Sequence, residues 1–159
     1  MAVSPEMFRQ VMGRFATGVA IITVKTKEGV HGLTVNAFTS VSLEPPLVLI
    51  CIQKNGISHA CIVKADSFVV NLLSEEQIDL ANRFADSELS SHERFKNVSY
   101  RNSAQGVPIL DGNLGHLECR IVNQFEGGDH TIFLGQVEKA EVAEEKSPLL
   151  FYNSRYFYL

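Results

Sequence analysis

The chain has 159 residues, of which 45% are hydrophobic and 20% charged, with 11 glycines, 5 prolines and 10 phenylalanines. That length and mix describe one globular domain spanning 1–159, neither disordered nor fibrous, able to bury roughly two-thirds of its unfolded surface without metal or disulfide staples. Basic residues number 14 against 18 acidic ones, a formal net charge of −4, which argues against a general role on nucleic acid or anionic membranes. Cys51, Cys61 and Cys119 form no CxxC pair and stand among apolar neighbours, so they read as small core residues in a reducing compartment. No basic n-region precedes an apolar stretch at the start, and no run approaches the ~18–20 apolar residues of a membrane span. The expectation is a cytoplasmic protein with neither membrane nor nucleic acid as partner.

Ser4-Pro5 is a helix start, a capping hydroxyl followed by proline at the first helical position. Met7, Phe8, Val11, Met12 and Phe15 recur at helical spacing, and Gly18 offers a stop. Residues 19–24 are a β-branched strand, Lys27-Glu28-Gly29 a turn, and Leu33 to Leu43 extends again. Pro45-Pro46 precedes a short apolar strand over 47–52, and Asn55-Gly56 turns the chain into a short helix around His59 to Lys64. A strand over Ser67–Leu73 leads to Ser74-Glu75-Glu76-Gln77, a capping-box pattern that opens a helix through Ala85. Residues 86–107 read as an irregular surface excursion. Strands over 115–125 and 131–142 flank Gly127-Gly128-Asp129, and an aromatic-rich segment, Phe151 to Leu159, ends the chain. Six or seven strands with two or three helices, and no helices long enough for parallel crossovers, predict a mainly β, α+β fold: an antiparallel barrel with peripheral helices.

The segment Leu33 to Leu43 carries the most chemistry. Read as one strand, Thr34, Asn36, Phe38, Ser40 and Ser42 share a face, a row of short donors and acceptors broken by one aromatic. A planar ligand with heteroatoms along its edge, such as a flavin, needs that surface; an ordinary solvent-facing strand explains it as well. Gln53-Lys54-Asn55-Gly56-Ile57-Ser58-His59 joins a buried strand to a helix start. Lys54, Ser58 and free backbone N–H groups there make either a phosphate cradle or a plain capped turn. Arg83-Phe84 adds a guanidinium and an aromatic wall, or a charge near a helix end. Gly127-Gly128-Asp129-His130 suits a hairpin turn, with Asp129 and His130 able to meet a substrate from the rim.

Several classes fall away. His116-x-Glu118-Cys119 superficially resembles a zinc deaminase box, but its Pro-Cys-x-x-Cys partner is missing. No HExxH, paired CxxC or 2-His-1-carboxylate cluster is visible, so no metal is expected. The Rossmann and P-loop glycine patterns and the Gly-x-Ser-x-Gly elbow are absent as well.

Phe15-Ala16-Thr17-Gly18-Val19, the run from Gly32 to Val48, Gly127 to Gly135, and Pro148 to Tyr156 resemble, in order and over the whole chain, the flavin reductase-like family, the short reductases of two-component flavin-dependent monooxygenases. The resemblance implies a split β-barrel of Greek-key type, usually a homodimer, that binds FMN or FAD and oxidises NADH or NADPH for a separate flavin-dependent oxygenase. By position, Thr34, Val35, Asn36, Ala37, Phe38, Thr39, Ser40 and Val41 would hold the isoalloxazine. Cys51, Gln53, Lys54, Asn55, Ser58 and His59 would surround the ribityl phosphate, with Arg83 and Phe84 closing the site. Asp129 and His130 would meet the nicotinamide, His130 as the catalytic residue, and Tyr152, Asn153, Ser154 and Arg155 would lie along the pyridine nucleotide. Many relatives end in a His-Arg-Gly-Arg-Tyr-like segment where this chain has Tyr152-Asn153-Ser154-Arg155-Tyr156, one basic contact fewer. The alternatives are a flavoredoxin-type electron carrier that keeps its flavin, and a flavin- or haem-binding module without turnover.

Overall fold

In the computed structural model, which describes residues 2–143 and 145–159, Ser4 caps helix α1 (Pro5–Met12), its hydroxyl accepting from the Met7 N–H at 3.2 Å. The helix ends at Gly13, short of Gly18, which instead lies in the two-residue strand β1 (Thr17–Gly18). There follow β2 (Ala20–Thr26), β3 (Gly29–Val35), β4 (Phe38–Leu43), β5 (Pro46–Gln53), α2 (Ile57–Val63) and β6 (Ser67–Leu72). A 3-10 turn (Glu75–Gln77) leads into α3 (Ile78–Ala85), and the Gln77 side chain accepts from the Ser74 N–H at 3.0 Å. Then come α4 (Ser91–Phe95), β7 (Tyr100–Asn102), β8 (Pro108–Leu110), the long hairpin β9 (Gly115–Gly127) and β10 (His130–Val142), and the closing hairpin β11 (Leu149–Tyr152) and β12 (Arg155–Tyr158). Helix α4 lies inside the segment read as irregular. Its sequence signal is the second capping box, in which Ser90 accepts from the Glu93 N–H and Glu93 accepts from the Ser90 N–H.

Seven strands form one antiparallel sheet in the order β3-β2-β6-β9-β10-β5-β4; β1-β11-β12 and β7-β8 form smaller ones. With directions alternating across seven strands, the two edges, β3 and β4, run the same way. They are also consecutive in the chain, joined only by Asn36 and Ala37. Four consecutive Cα atoms span at most about 11 Å, so the end of one edge must lie beside the start of the other. The sheet therefore curls and staggers until its edges meet at a corner. Among the described residues no ladder joins β3 to β4, so the barrel is split rather than closed by hydrogen bonds.

The same handover corrects the reading of Leu33 to Leu43 as one strand with fixed faces. The alternation breaks at Asn36–Ala37, so Val35 and Phe38, three apart, both pack on the core. A bulge between Ser40 and Ser42 breaks it again and leaves Val41 outward, with Leu43 92% exposed.

β2 is buried on both faces from Ala20 to Val24, in keeping with a sequence there that is apolar except for Thr23, whose hydroxyl donates to the Pro108 carbonyl. Ala20, Ile22 and Val24 face the interior of the curled sheet with Val48, Ile50, Phe68, Val70 and Phe133. Val19 and Ile21 look outward under α3 and β11, against Ala81, Phe84 and Leu149. The buried Asn71 amide donates to the Ile21 carbonyl at 3.0 Å and the Thr23 hydroxyl at 3.2 Å, while its oxygen accepts from the Leu110 N–H at 2.8 Å.

β9 carries one unpaired residue, Val122, opposite Leu134–Gly135. At Gly135 the Phe68 ring comes so near the backbone that an added Cβ would lie 2.5 Å from the ring and 3.0 Å from the Cys119 Cβ. Gly135→Ala is expected to destabilise the protein by about 1–3 kcal/mol through overpacking. Gly18→Ala, where a Cβ meets open space, serves as control. Urea midpoints measure both, and equal midpoints for the two variants would show that Phe68 yields at no cost.

Candidate functional site

Gln53 at the end of β5 and His130 at the start of β10 are register partners. The chain after Gln53 and the hairpin turn before His130 therefore lie side by side. Gly128, with φ of 71°, holds the first central position of that two-residue turn, where glycine is the favoured residue. Lys54 ties the two segments: its N–H donates to the Asp129 carbonyl at 2.9 Å, its Nζ donates to the Gly128 carbonyl at 2.7 Å, and it ion-pairs with Glu126. That partner holds the Glu126 carboxyl below its ordinary pKa. Farther along, His59 Nε2 lies 2.8 Å from the Thr131 hydroxyl. His130, its side chain 40% exposed, has Nδ1 2.8 Å from Asp129 Oδ1, and this hydrogen bond lowers the Asp129 pKa. The ammonium of Lys54 is thus engaged by the turn.

Behind this rim lies a cleft of about 270 Å³ between β3, the 53–58 segment and the approach to α4. Leu33 and Ile52 form its apolar floor, and Gln53, Asn55, Ser58, Ser91 and Arg94 its polar walls. α2 starts at Gly56 with no side chain capping it. His31, only 2% exposed, spans the back of the cleft: Nε2 lies 2.8 Å from the Ser58 hydroxyl and Nδ1 2.6 Å from the Ser91 hydroxyl. Burial, helped by the charge of Arg94, lowers its pKa from 6.5 to about 4, so the imidazole is neutral at neutral pH. Arg94 donates from Nη1 to the Gly32 carbonyl and from Nη2 to the Asp86 carbonyl, both at 2.7 Å.

Several residues named from the sequence lie elsewhere. Arg83 is exposed, donates to the Lys96 carbonyl at 2.8 Å, and lines a separate cleft with Glu76 and Asp79. Phe84 is sealed in the core against Gly32 and Phe95. The cation brought near the 53–58 segment is instead Arg94, while His59, named from the sequence, stands at the rim. The Thr34 hydroxyl donates to the Ala81 carbonyl at 2.7 Å, holding α3 to β3. Thr34, Val35 and Asn36 nevertheless line a second groove with Phe151 and Tyr156. Ala37, Thr39, Ser40 and Val41 are exposed; the Ala37 carbonyl accepts from the Cys51 N–H at 3.1 Å. Burial raises the pKa of Cys51 and Cys61 and pushes that of Cys119 up to about 12, so all three remain thiols. Tyr152, Asn153, Ser154 and Arg155 form the β11–β12 turn, with Asn153 and Ser154 at positive φ and the Asn153 N–H donating to Gly13. Among the described residues, no group of three or more His, Cys, Asp or Glu is placed to hold a metal.

The sequence reading missed His31, Ser91 and Arg94. Their local signals were ordinary: a histidine inside a strand, and a serine and an arginine on a short helix. Only the fold brings them together.

The sequence model of a family described as a flavin reductase like domain matches residues 12–159. The reductase subunit of a flavin-dependent monooxygenase from Rhodococcus jostii is 39% identical over 155 residues, 98% of this chain and 78% of that protein. A crystal structure of a flavin reductase-like protein from Haemophilus somnus superposes with a TM-score of 0.94 at 32% identity, covering 99% of this chain and 100% of that one. A Streptomyces globisporus NADH:FAD oxidoreductase, solved with NAD and FAD fragments, has a TM-score of 0.89 at 39% identity and covers 99% and 95%.

Because the folded-state pKa of His31 lies below its unfolded value, the folded protein binds fewer protons at this site. The stability so contributed is present above about pH 6.5 and is lost as pH falls toward about 4. The urea midpoint of the protein should drop more steeply across that window than that of His31→Gln. Parallel profiles would show that His31 is charged in the folded state.

Proposed function

Since the chain belongs to the flavin reductase-like family, we propose that it is an NAD(P)H-dependent flavin oxidoreductase that supplies reduced FMN or FAD to a separate monooxygenase. The observation that carries the reading beyond kinship is the paired rim at Gln53 and His130, with a polar-walled cleft behind it. The donor set fits a flavin nucleotide. Hydroxyls and amides of Ser58, Ser91, Gln53 and Asn55 suit its polar tail, while the groove of Thr34, Val35 and Asn36 with Phe151 and Tyr156 suits a flat ring.

When bound, the flavin supplies the redox chemistry, accepting a hydride from the reduced nicotinamide. The protein's part is binding and orientation. Gln53, Asn55 and Ser58 offer donors to the nucleotide. His130, its ring oriented by the bond to Asp129, stands exposed beside Gln53 and receives the nicotinamide nucleotide. Tyr152, Asn153, Ser154 and Arg155 offer a second contact for that nucleotide. Positioning of this kind matters for rate because near-attack geometry tolerates little displacement. Free cysteines and buried thiols accord with a cytoplasmic location, and no helix among the described residues is long and apolar enough to cross a membrane.

The functional unit is a homodimer. α1 buries no residue in the single chain, and Met7, Phe8, Val11, Met12 and Phe15 are all exposed. An apolar helix face of that kind, with Leu43, Phe157 and Tyr158 also exposed, calls for a second copy to cover it. Light scattering should give the dimer mass and Phe8→Glu with Phe15→Glu a lower one. A monomeric native protein that binds flavin fully would remove the dimer.

Anaerobic mixing with NADH and each flavin, read at the flavin absorbance, tests the activity. Bleaching that turns over with added free flavin is expected; no NADH oxidation with either flavin would overturn the reading. His130→Ala should keep flavin affinity while raising the KM for NADH, lowering the reduction rate by about tenfold, or both, a change equal to about 1.4 kcal/mol of transition-state positioning. Native NADH kinetics in that variant would reduce the segment to a turn.

A further inference from the structure

Between the start of β2, the end of β3 and the β1–β11 pair lies a cavity of about 280 Å³. Its walls are mostly aliphatic, among them Ala20, Val35, Leu72, Leu114 and Leu149, with Phe38 beside them, and no charged residue lines it. The backbone around it is already engaged. The Val19 carbonyl accepts from the Leu73 N–H at 3.0 Å, the Leu72 carbonyl from the Leu114 N–H at 2.8 Å, and the Leu73 carbonyl from the Leu149 N–H at 3.1 Å. The Thr17 hydroxyl is the exception: it lies in the wall, and its oxygen is buried with no hydrogen-bond partner. An uncharged, largely apolar space thus holds one buried polar group left unpaired.

These features define an occupant. An apolar cavity of about 150 Å³ suffices for a benzene ring, so this volume admits one ring with a substituent. A charged ligand would enter without a counter-charge, at high cost. The isoalloxazine carries donors and acceptors along its edge, and a wall with one free hydroxyl would leave most of them unpaired. A threonine hydroxyl both donates and accepts, so a single hydroxyl on the ligand would pair with Thr17 and recover the cost of its burial. A rigid ring also loses less freedom on entry than a flexible chain of equal size. Val19, Val35 and Asn36 line this cavity and also the groove of Thr34, Phe151 and Tyr156 that suits the flavin ring. The two spaces share a wall.

We propose that this cavity is an effector site for a small uncharged ring compound bearing one hydroxyl, held by apolar contact and by the Thr17 hydroxyl, and that its occupancy raises flavin affinity through the shared wall. The coupling rests on the flavin reading above; the site itself does not. A ligand that fixes Val35 and Asn36 reduces the ordering that a flavin must still impose on them. Linkage then makes flavin raise the ligand's affinity by the same factor.

Phenol and toluene, which differ by one hydroxyl, are the probes, and calorimetry on the native protein reads their binding. Both should bind. Thr17→Val keeps the side-chain shape and should cost phenol about fivefold in affinity while leaving toluene unchanged, as expected for one neutral hydrogen bond. Leu114→Trp, at a half-buried position in the wall, should block both probes. Saturating phenol should tighten FMN binding by about fivefold, and FMN should tighten phenol binding equally. Binding of neither probe to the native protein, as when a second copy already fills the cavity, would overturn the site. Native phenol affinity in a folded Thr17→Val, or undiminished binding of both probes by a folded Leu114→Trp, would overturn it too. Displacement of phenol by FMN would place the flavin ring in the cavity and overturn the effector role, as would FMN affinity indifferent to phenol. Binding of neither FMN nor FAD would remove the flavin reading and the coupling with it, while the phenol and toluene measurements still decide the site.

Discussion

Two residues, Asn36 and Ala37, carry the chain from one edge of a seven-stranded sheet to the other. Because both edges run the same way, so short a link works only if the sheet is coiled and staggered. The coil encloses the inward faces of β2, β5, β6, β9 and β10 around one core. The outer face of β3, where Gly32 and Thr34 sit, is covered by α3, while His31 on the opposite face meets Ser58 and Ser91. The polar cleft lies on the His31 side of β3, between that strand, the 53–58 segment and α4.

Two buried polar groups show how differently the fold treats structure and site. Asn71 is wholly buried and has both its donor and acceptor atoms partnered, by Ile21, Thr23, Leu110 and Asn113. Such a closed network fixes register and packing and leaves nothing to offer a ligand. Arg94 is nearly as buried, but its bonding is incomplete. The first group completes the core; the second keeps unused bonding capacity beside a cavity.

Much of the architecture was legible because it depends on local chemistry. Ser4-Pro5 starts a helix, the run from Val19 to Val24 is a strand buried on two faces, and Gly128 makes the β9–β10 turn, each for reasons visible within a few residues. The break at Asn36–Ala37 was not legible, since no proline or glycine marks it; only the sheet order requires it. α4 was legible in principle, through the Ser90-x-x-Glu93 capping box, but its brevity hid it among polar residues. The site was readable as segments and unreadable as contacts. That 53–59 and 127–130 are turn segments showed in the sequence, whereas the engagement of Lys54 with the turn and the meeting of His31 with Ser91, 60 positions away, depend on tertiary geometry.

The clamp formed by Lys54 also has a thermodynamic reach. It joins the segment facing the inner cleft to the turn carrying His130 through two hydrogen bonds and an ion pair. Any ligand that restrains one segment spares the other part of its ordering entropy. Linkage makes that saving mutual: whatever factor a ligand held by one segment would add to affinity at the other, a ligand at the other would return to the first.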